Sequence, residues 1–136
     1  MYLETGVMYR AVTLYAQRHG LLDASPEKKL VMMHDIQLDF AYNTATDHYD
    51  MMLNDENVEE AIRKTELGLA MQPIVTDLGI RAELVKRQQV FGKHGGIVAE
   101  GRDIGTVVFP DAELKVFMIC DLEARVERRY GQLIAQ

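Results

Sequence analysis

The spacing of apolar and polar residues changes period several times along the chain, and each change predicts an element. Tyr2-Leu3-Glu4 reads as the end of a strand, Thr5-Gly6 as a turn, and residues 7–19 as a helix that Gly20 stops. Ser25-Pro26 supplies a capping hydroxyl and a proline at the first helical position, so a short helix is expected to about Asp35. Leu38, Phe40 and Tyr42 then alternate with polar or small residues. Tyr49, Met51 and Leu53 do the same after Asn43-Thr44-Ala45-Thr46, which makes a hairpin. Asn57 followed by Glu60 has the form of a capping box and opens a short helix through Ile62-Arg63. The hairpin and its helix, at about 36–72, read as an inserted subdomain.

Helical spacing returns from Pro73 to Phe91, with Leu78, Ala82, Val85 and Gln89 on one face, and Gly92-Lys93-His94-Gly95-Gly96 ends it. Ile97-Val98-Ala99 and residues 114–120 read as strands buried on both faces, as in a parallel sheet, and residues 121–136 as an arginine-rich helix. Helices alternating with such strands predict an α/β class, with the hairpin as a small antiparallel addition. Neither a 20–50-residue repeat nor a low-complexity tract breaks the chain, so its 136 residues read as one domain.

Composition narrows the chemistry more than the fold. With 48% hydrophobic and 26% charged residues the chain is of ordinary globular type. A formal net charge of -6 provides no global attraction for nucleic acid or an acidic membrane, so neither is an expected partner, and a phosphate ligand needs a local group of arginines. Cys120 follows Val116-Phe117-Met118-Ile119, which suits a buried, reduced thiol in a cytoplasmic protein. No apolar run approaches the ~18 residues of a membrane span, and the N-terminus lacks a secretory pattern. His19, His34, His48 and His94 have no partner at i+3 or i+4 and there is no Cys-x-x-Cys, so no metal site is expected. The eight methionines read as adaptable packing, and no G-x-S-x-G elbow is present.

Three stretches could hold a phosphate. Thr5 and Arg10 place a hydroxyl at a helix N-terminus and a guanidinium one turn inside, where side chains lean back toward the positive end of the dipole. The plain alternative is a capping threonine with a solvated arginine. Gly92-Lys93 follows a helix and precedes a strand, the reverse of a Walker loop, so the glycines read as a helix stop. Arg102-Asp103 lies just past the carboxyl end of a strand, between Gly101 and Gly105, where open α/β sheets bind ligands. A guanidinium there can clamp phosphate and a carboxylate can accept from a base amino group; a solvated turn with a local ion pair fits the same residues.

Taken together, residues 2–12 (YLETGVMYRAV), residues 101–112 (GRDIGTVVFPDA) and Arg128-Arg129 resemble bacterial cytidylate kinases, and the resemblance covers nearly the whole chain, hairpin included. The resemblance implies phosphoryl transfer from ATP to CMP or dCMP with magnesium carried on the nucleotide, in a monomeric full-length enzyme. It implies that Arg10 and Arg102 grip the CMP phosphate, that Thr5 contacts the nucleotide, and that Arg81 and Asp103 read cytosine. Arg102 would also act in catalysis with Arg128 and Arg129, which lie with Arg125 where the family's mobile lid begins. Gln72 stands where the family has a base-contacting serine.

The resemblance also implies a P-loop-type, three-layer parallel sheet. Tyr2-Leu3-Glu4, Ile97-Val98-Ala99 and residues 114–120 would be its second, third and fourth strands, with the first strand lying between the third and fourth. That central strand and the phosphate-binding loop fall upstream of Met1 in the family pattern, and the second half of the lid falls beyond Gln136. The chain alone is therefore expected to show little or no kinase activity and to fold poorly. Two alternatives remain open: a CMP-binding or regulatory module without an ATP site, and an unrelated α/β enzyme that binds phosphate.

Overall fold

A computed structural model describes residues 1–134. β1 (Tyr2–Glu4) runs straight into α1 (Thr5–Arg18), so the helix starts two residues before the expected position and Thr5-Gly6 is its first turn rather than a loop. α1 ends in a Schellman motif: Gly20 has φ 66°, its N–H reaches Gln17 O at 3.3 Å, and Leu21 N reaches Ala16 O at 2.8 Å. α2 (Pro26–Met32) is capped by Ser25, which accepts from Lys28 N, and a 3-10 turn carries the chain on to Asp35.

β2 (Leu38–Asn43) and β3 (His48–Leu53) form the expected antiparallel hairpin, with Phe40 opposite Met51 and Tyr42 opposite Tyr49. The short β4 (Glu56–Asn57) adds a third strand through Asn54 and Asp55, at φ 48° and 65°, the left-handed pair that a two-residue primed turn demands. α3 (Glu59–Arg63) follows, and its capping differs from the sequence expectation. Asn57 Oδ1 accepts from Glu59 N at 3.0 Å, whereas among the described residues Glu60 makes no return bond.

After α4 (Thr65–Leu69), the long helix expected from Pro73 is two helices, α5 (Gln72–Val75) and α6 (Leu78–Gly92). Asp77 causes the break, because its carboxylate accepts from Gly79 N at 3.0 Å and Ile80 N at 3.1 Å and so starts a new helix. The buried face of α6 is Ile80, Leu84 and Gln88, while Leu78 is 80% exposed. Apolar residues occur all round this helix, so periodicity alone left its inward stripe ambiguous, and packing of Ile80 and Leu84 into the core decides it.

β5 (Val98–Glu100) pairs in parallel with β1, with Leu3 opposite Ala99. The pair is not covered on both faces as expected, since Leu3 is buried but Val98 is 67% exposed. Residues 114–120 form no strand: among the described residues they meet no backbone partner, and a strand exists only in a ladder. Cys120 is correspondingly exposed, not a core thiol. α7 (Leu122–Ile134) closes the described chain with no buried residue. The core surrounds α1: Met8, Val12 and Ala16 meet Met51 and Leu53 of the hairpin, Ile62 of α3, and Ile80 and Leu84 of α6 in one cluster.

Candidate functional site

The charged pair between the glycines is built on the end of β5. Gly101, Arg102 and Asp103 lead into one turn of π-helix, Ile104–Val108. The Asp103 carbonyl gathers that turn, accepting from Val107 N at 2.8 Å and from Thr106 N and Val108 N at 3.3 Å. Gln89 of α6 donates its amide to Val108 O at 3.0 Å. The Phe109 ring occupies the space where a Cβ on Gly92 would stand. Both contacts pin the loop to the second half of α6.

Thr5 braces the same loop from beneath. Its hydroxyl donates to Glu100 O at 2.9 Å, and a Cβ on Gly101 would overlap that hydroxyl and come within 2.9 Å of Ile104. Only glycine lets the chain cross so close to Thr5. The threonine is buried, and its hydroxyl proton is committed to the loop backbone.

Arg81, one turn into α6, reaches across to Asp103 with Nη2 2.6 Å from Oδ2. The side chains keep 39% and 27% of their surface open, so the pair is accessible to a ligand. Tyr9 of α1 flanks them. Burial pushes its phenol up, the Arg81 charge opposes that shift, and the Asp103 charge reinforces it. Oδ1 of Asp103 has no partner among the described residues and remains free to accept.

Arg10 does not lean back to the start of α1. Its Nη1 donates to Ile62 O at 2.8 Å, and a Cβ on Gly68 would stand 3.4 Å from Nη2. It meets no carboxylate among the described residues. Burial draws its pKa down, Arg63 and Arg129 act in the same direction, and Glu4 opposes them. Arg63, by contrast, is neutralised: Nη1 and Nη2 meet the Glu4 carboxylate at 3.0 and 2.8 Å, and Nε meets Glu59 at 2.8 Å. The Glu4 hydrogen bond leads the forces that raise its pKa. Glu59 also accepts from Met51 N at 3.0 Å, so Arg63 ties β1 to the hairpin.

Arg102 is exposed and makes no hydrogen bond or ion pair among the described residues. The loop thus offers one guanidinium without a counter-charge, and Arg10 offers another. Gln72 opens α5 with its side chain exposed, and its carbonyl accepts from Thr76. Arg125, Arg128 and Arg129 lie on exposed α7; Arg128 approaches Cys120 Sγ at 4.0 Å and Arg129 donates to Gln132 at 3.3 Å. The Arg129 charge is felt at Arg10.

Sequence reasoning assigned no role to Arg63, Tyr9 or Gln89's amide. Only Arg63 carried a legible signal, the i, i+4 spacing from Glu59. A cleft of about 440 Å3 between β1 and the hairpin, lined by Tyr2, Glu4, Phe40, Tyr42, Tyr49 and Glu59, does not include the loop.

A family model described as cytidylate kinase matches residues 1–136. The chain belongs to the cytidylate kinase family. It is 46% identical to the cytidylate kinase of Parabacteroides distasonis over 138 residues, which cover 99% of this chain and 60% of that protein. The cytidylate kinase of Phocaeicola vulgatus is 46% identical over 136 residues, covering 98% of this chain and 59% of the relative. That of Porphyromonas gingivalis is 43% identical over 141 residues, covering 100% and 60%. The chain thus spans about 60% of the length of the curated relatives it matches. Its α/β architecture, a parallel strand pair with an antiparallel three-stranded sheet, agrees with the P-loop fold class of the cytidylate kinase family. No helix among the described residues is long and apolar enough to cross a membrane.

Proposed function

We propose that the surface formed by Arg81, Asp103, Arg10 and Arg102 binds a cytidine monophosphate, CMP or dCMP, as the phosphoryl acceptor from ATP. The observation that carries this reading is the division of the arginines. Arg81 is paired with Asp103 and Arg63 with Glu4, whereas Arg10 and Arg102 have no carboxylate among the described residues. On a chain of net charge -6, guanidinia without a carboxylate partner favour a dianionic phosphate, and the paired ones favour a neutral base.

Asp103 accepts from the cytosine amino group through Oδ1, and Arg81 donates to the ring nitrogen or carbonyl beside it. Uracil presents a carbonyl where cytosine presents the amino group, so it would face the carboxylate unpaired. Arg10 and Arg102 hold the phosphate and offset the charge that develops when it attacks the donor. Arg128 and Arg129 on α7 would approach the transferred group, and Gln72 lies at the edge of the base site. Magnesium, brought in on the ATP phosphates, would offset their charge. Among the described residues no three carboxylate, imidazole or thiolate side chains converge to cage an ion.

A second reading has its own observation: no stretch within residues 1–136 has the form G-x-x-x-x-G-K-[ST]. These residues by themselves then bind CMP without turning it over, and a coupled assay with ATP and CMP reads no product above background.

Titration of Arg10→Ala and Arg102→Ala with CMP and with cytidine tests the assignment. Each variant loses at least ~tenfold in CMP affinity and keeps its affinity for cytidine, since only the phosphate contact is removed. Equal losses for both ligands would overturn the phosphate role.

A further inference from the structure

Glu4, the last residue of β1, and Arg10, in the second turn of α1, both reach the end of α3 and take consecutive residues there. Arg10 Nη1 donates to Ile62 O at 2.8 Å, while the Glu4 carboxylate accepts from Nη1 and Nη2 of Arg63 at 3.0 and 2.8 Å. Glu4 and Arg10 carry opposite charges, and each keeps part of its surface open. Glu4 is also the carboxylate felt at Arg10, where its charge opposes that of Arg63. Opposite charges this near to one another attract, so a third group must hold them apart.

We propose that Arg63 is a positioning residue for phosphate binding: it engages both oxygens of Glu4 and so withholds that carboxylate from Arg10, which stays uncompensated for the phosphate of CMP. The inference deepens the CMP reading above and rests on its assignment of Arg10 to the phosphate.

The contacts explain why Glu4 goes to Arg63. A planar guanidinium meeting a carboxylate with two parallel bonds is a stronger and more directional pair than a single contact. Arg63 is aligned for it by Glu59, which accepts from Nε at 2.8 Å and is itself held by Met51 N at 3.0 Å. Arg10, in contrast, is oriented by a neutral carbonyl, which fixes Nη1 without cancelling the charge. Beside its Nη2 lies Gly68, where even a Cβ would stand 3.4 Å away. Were Arg63 absent, the Glu4 carboxylate would lose both partners and turn to the nearest cation without a carboxylate, Arg10. A phosphate would then have to displace a carboxylate of its own sign.

Titration of Arg63→Met and of the double variant E4Q/R63M with CMP and with cytidine tests this. R63M loses about tenfold or more in CMP affinity and keeps its affinity for cytidine, because the freed carboxylate competes with the phosphate and not with the base. E4Q/R63M returns to within about threefold of the parent for CMP. If Arg63 only held α3 to β1, the double variant would be as weak as R63M. Arg63→Lys, which keeps a charge near Glu4 but lacks the fork, falls between parent and R63M and serves if R63M does not fold. Circular dichroism confirms that the helices persist in each variant. Side-chain NMR of the Arg10 guanidinium provides a readout without nucleotide: rotation about its Nε–Cζ bond slows in R63M and returns to the parent rate in E4Q/R63M. Unchanged Arg10 signals in R63M, or a double variant as weak for CMP as R63M, would overturn the proposal. A parent chain that binds no CMP would instead count against the CMP reading, and the Arg10 signals would still decide whether Arg63 withholds Glu4.

Discussion

Arg81 and Asp103 stand 22 residues apart in sequence, on a helix and on a loop, yet their side chains meet at 2.6 Å. The pair keeps enough exposure that it adds little to stability, and its geometry is better explained by what it can present to a base. Asp103→Asn should therefore shift the urea midpoint by less than the equivalent of about 1 kcal/mol. CMP affinity should fall at least ~tenfold, because the amide can turn a donor toward the cytosine amino group. Unfolding curves and a CMP titration on the same preparation separate the two effects, and an unchanged CMP affinity would count against the base-reading role.

Gly101 is a packing position as well as a loop position. Gly101→Ala drives a methyl group into the Thr5 hydroxyl and the Ile104 side chain, so the end of β5 must shift. A loss of roughly 1–3 kcal/mol is expected from such overpacking. Thr5→Ala in the same background recovers only part of it, because the Ile104 contact remains. Chemical denaturation of the single and double variants measures the difference.

The Tyr2 phenol is pushed up to about 12 from 10.0, first by burial and then by its hydrogen bond to Glu100 and the neighbouring carboxylates. A raised pKa means that the folded state holds the proton more tightly than the unfolded state. The resulting stability is complete below pH 10.0 and is lost as pH rises toward about 12. Tyr2→Phe should remove that part of the alkaline loss, seen as a flatter dependence of the urea midpoint on pH across this window. Ultraviolet titration of the phenolate in parent and variant assigns the group.

Glu56 gives the opposite sign. The Arg18 guanidinium hydrogen-bonds it at 2.6 and 2.9 Å and lowers its pKa from 4.5. Its contribution is present above pH 4.5 and disappears as pH falls through the lowered value. Arg18→Met should flatten that part of the acid limb and leave the alkaline limb as it is. Urea midpoints across both limbs provide the check.

Local chemistry made much of the fold legible. Gly20 and Ser25-Pro26 marked real helix ends, and the period-two run through Phe40 and Met51 was a real hairpin. Failures occurred where a neighbour decides the outcome. Residues 114–120 have strand composition but no ladder among the described residues, and Cys120 is exposed along with them. The break before α6 depends on a cap at Asp77 that apolar spacing does not register.

The site divides in the same way. Arg102-Asp103 between glycines could be found because position after a strand is a local property. That Asp103 meets Arg81, that Arg63 is neutralised by Glu4, and that Arg10 reaches Ile62 instead of its own helix start are contacts between residues distant in sequence. No spacing rule reports them.

The central claim is that Asp103 and Arg81 read the amino edge of a cytosine whose phosphate lies on Arg10 and Arg102. Calorimetric titration of the 136-residue chain with CMP and, separately, with UMP tests it most directly. The account predicts saturable CMP binding with UMP at least ~tenfold weaker, since uracil leaves the carboxylate facing a carbonyl. Equal affinity for the two nucleotides, or no saturable binding of CMP, would contradict it.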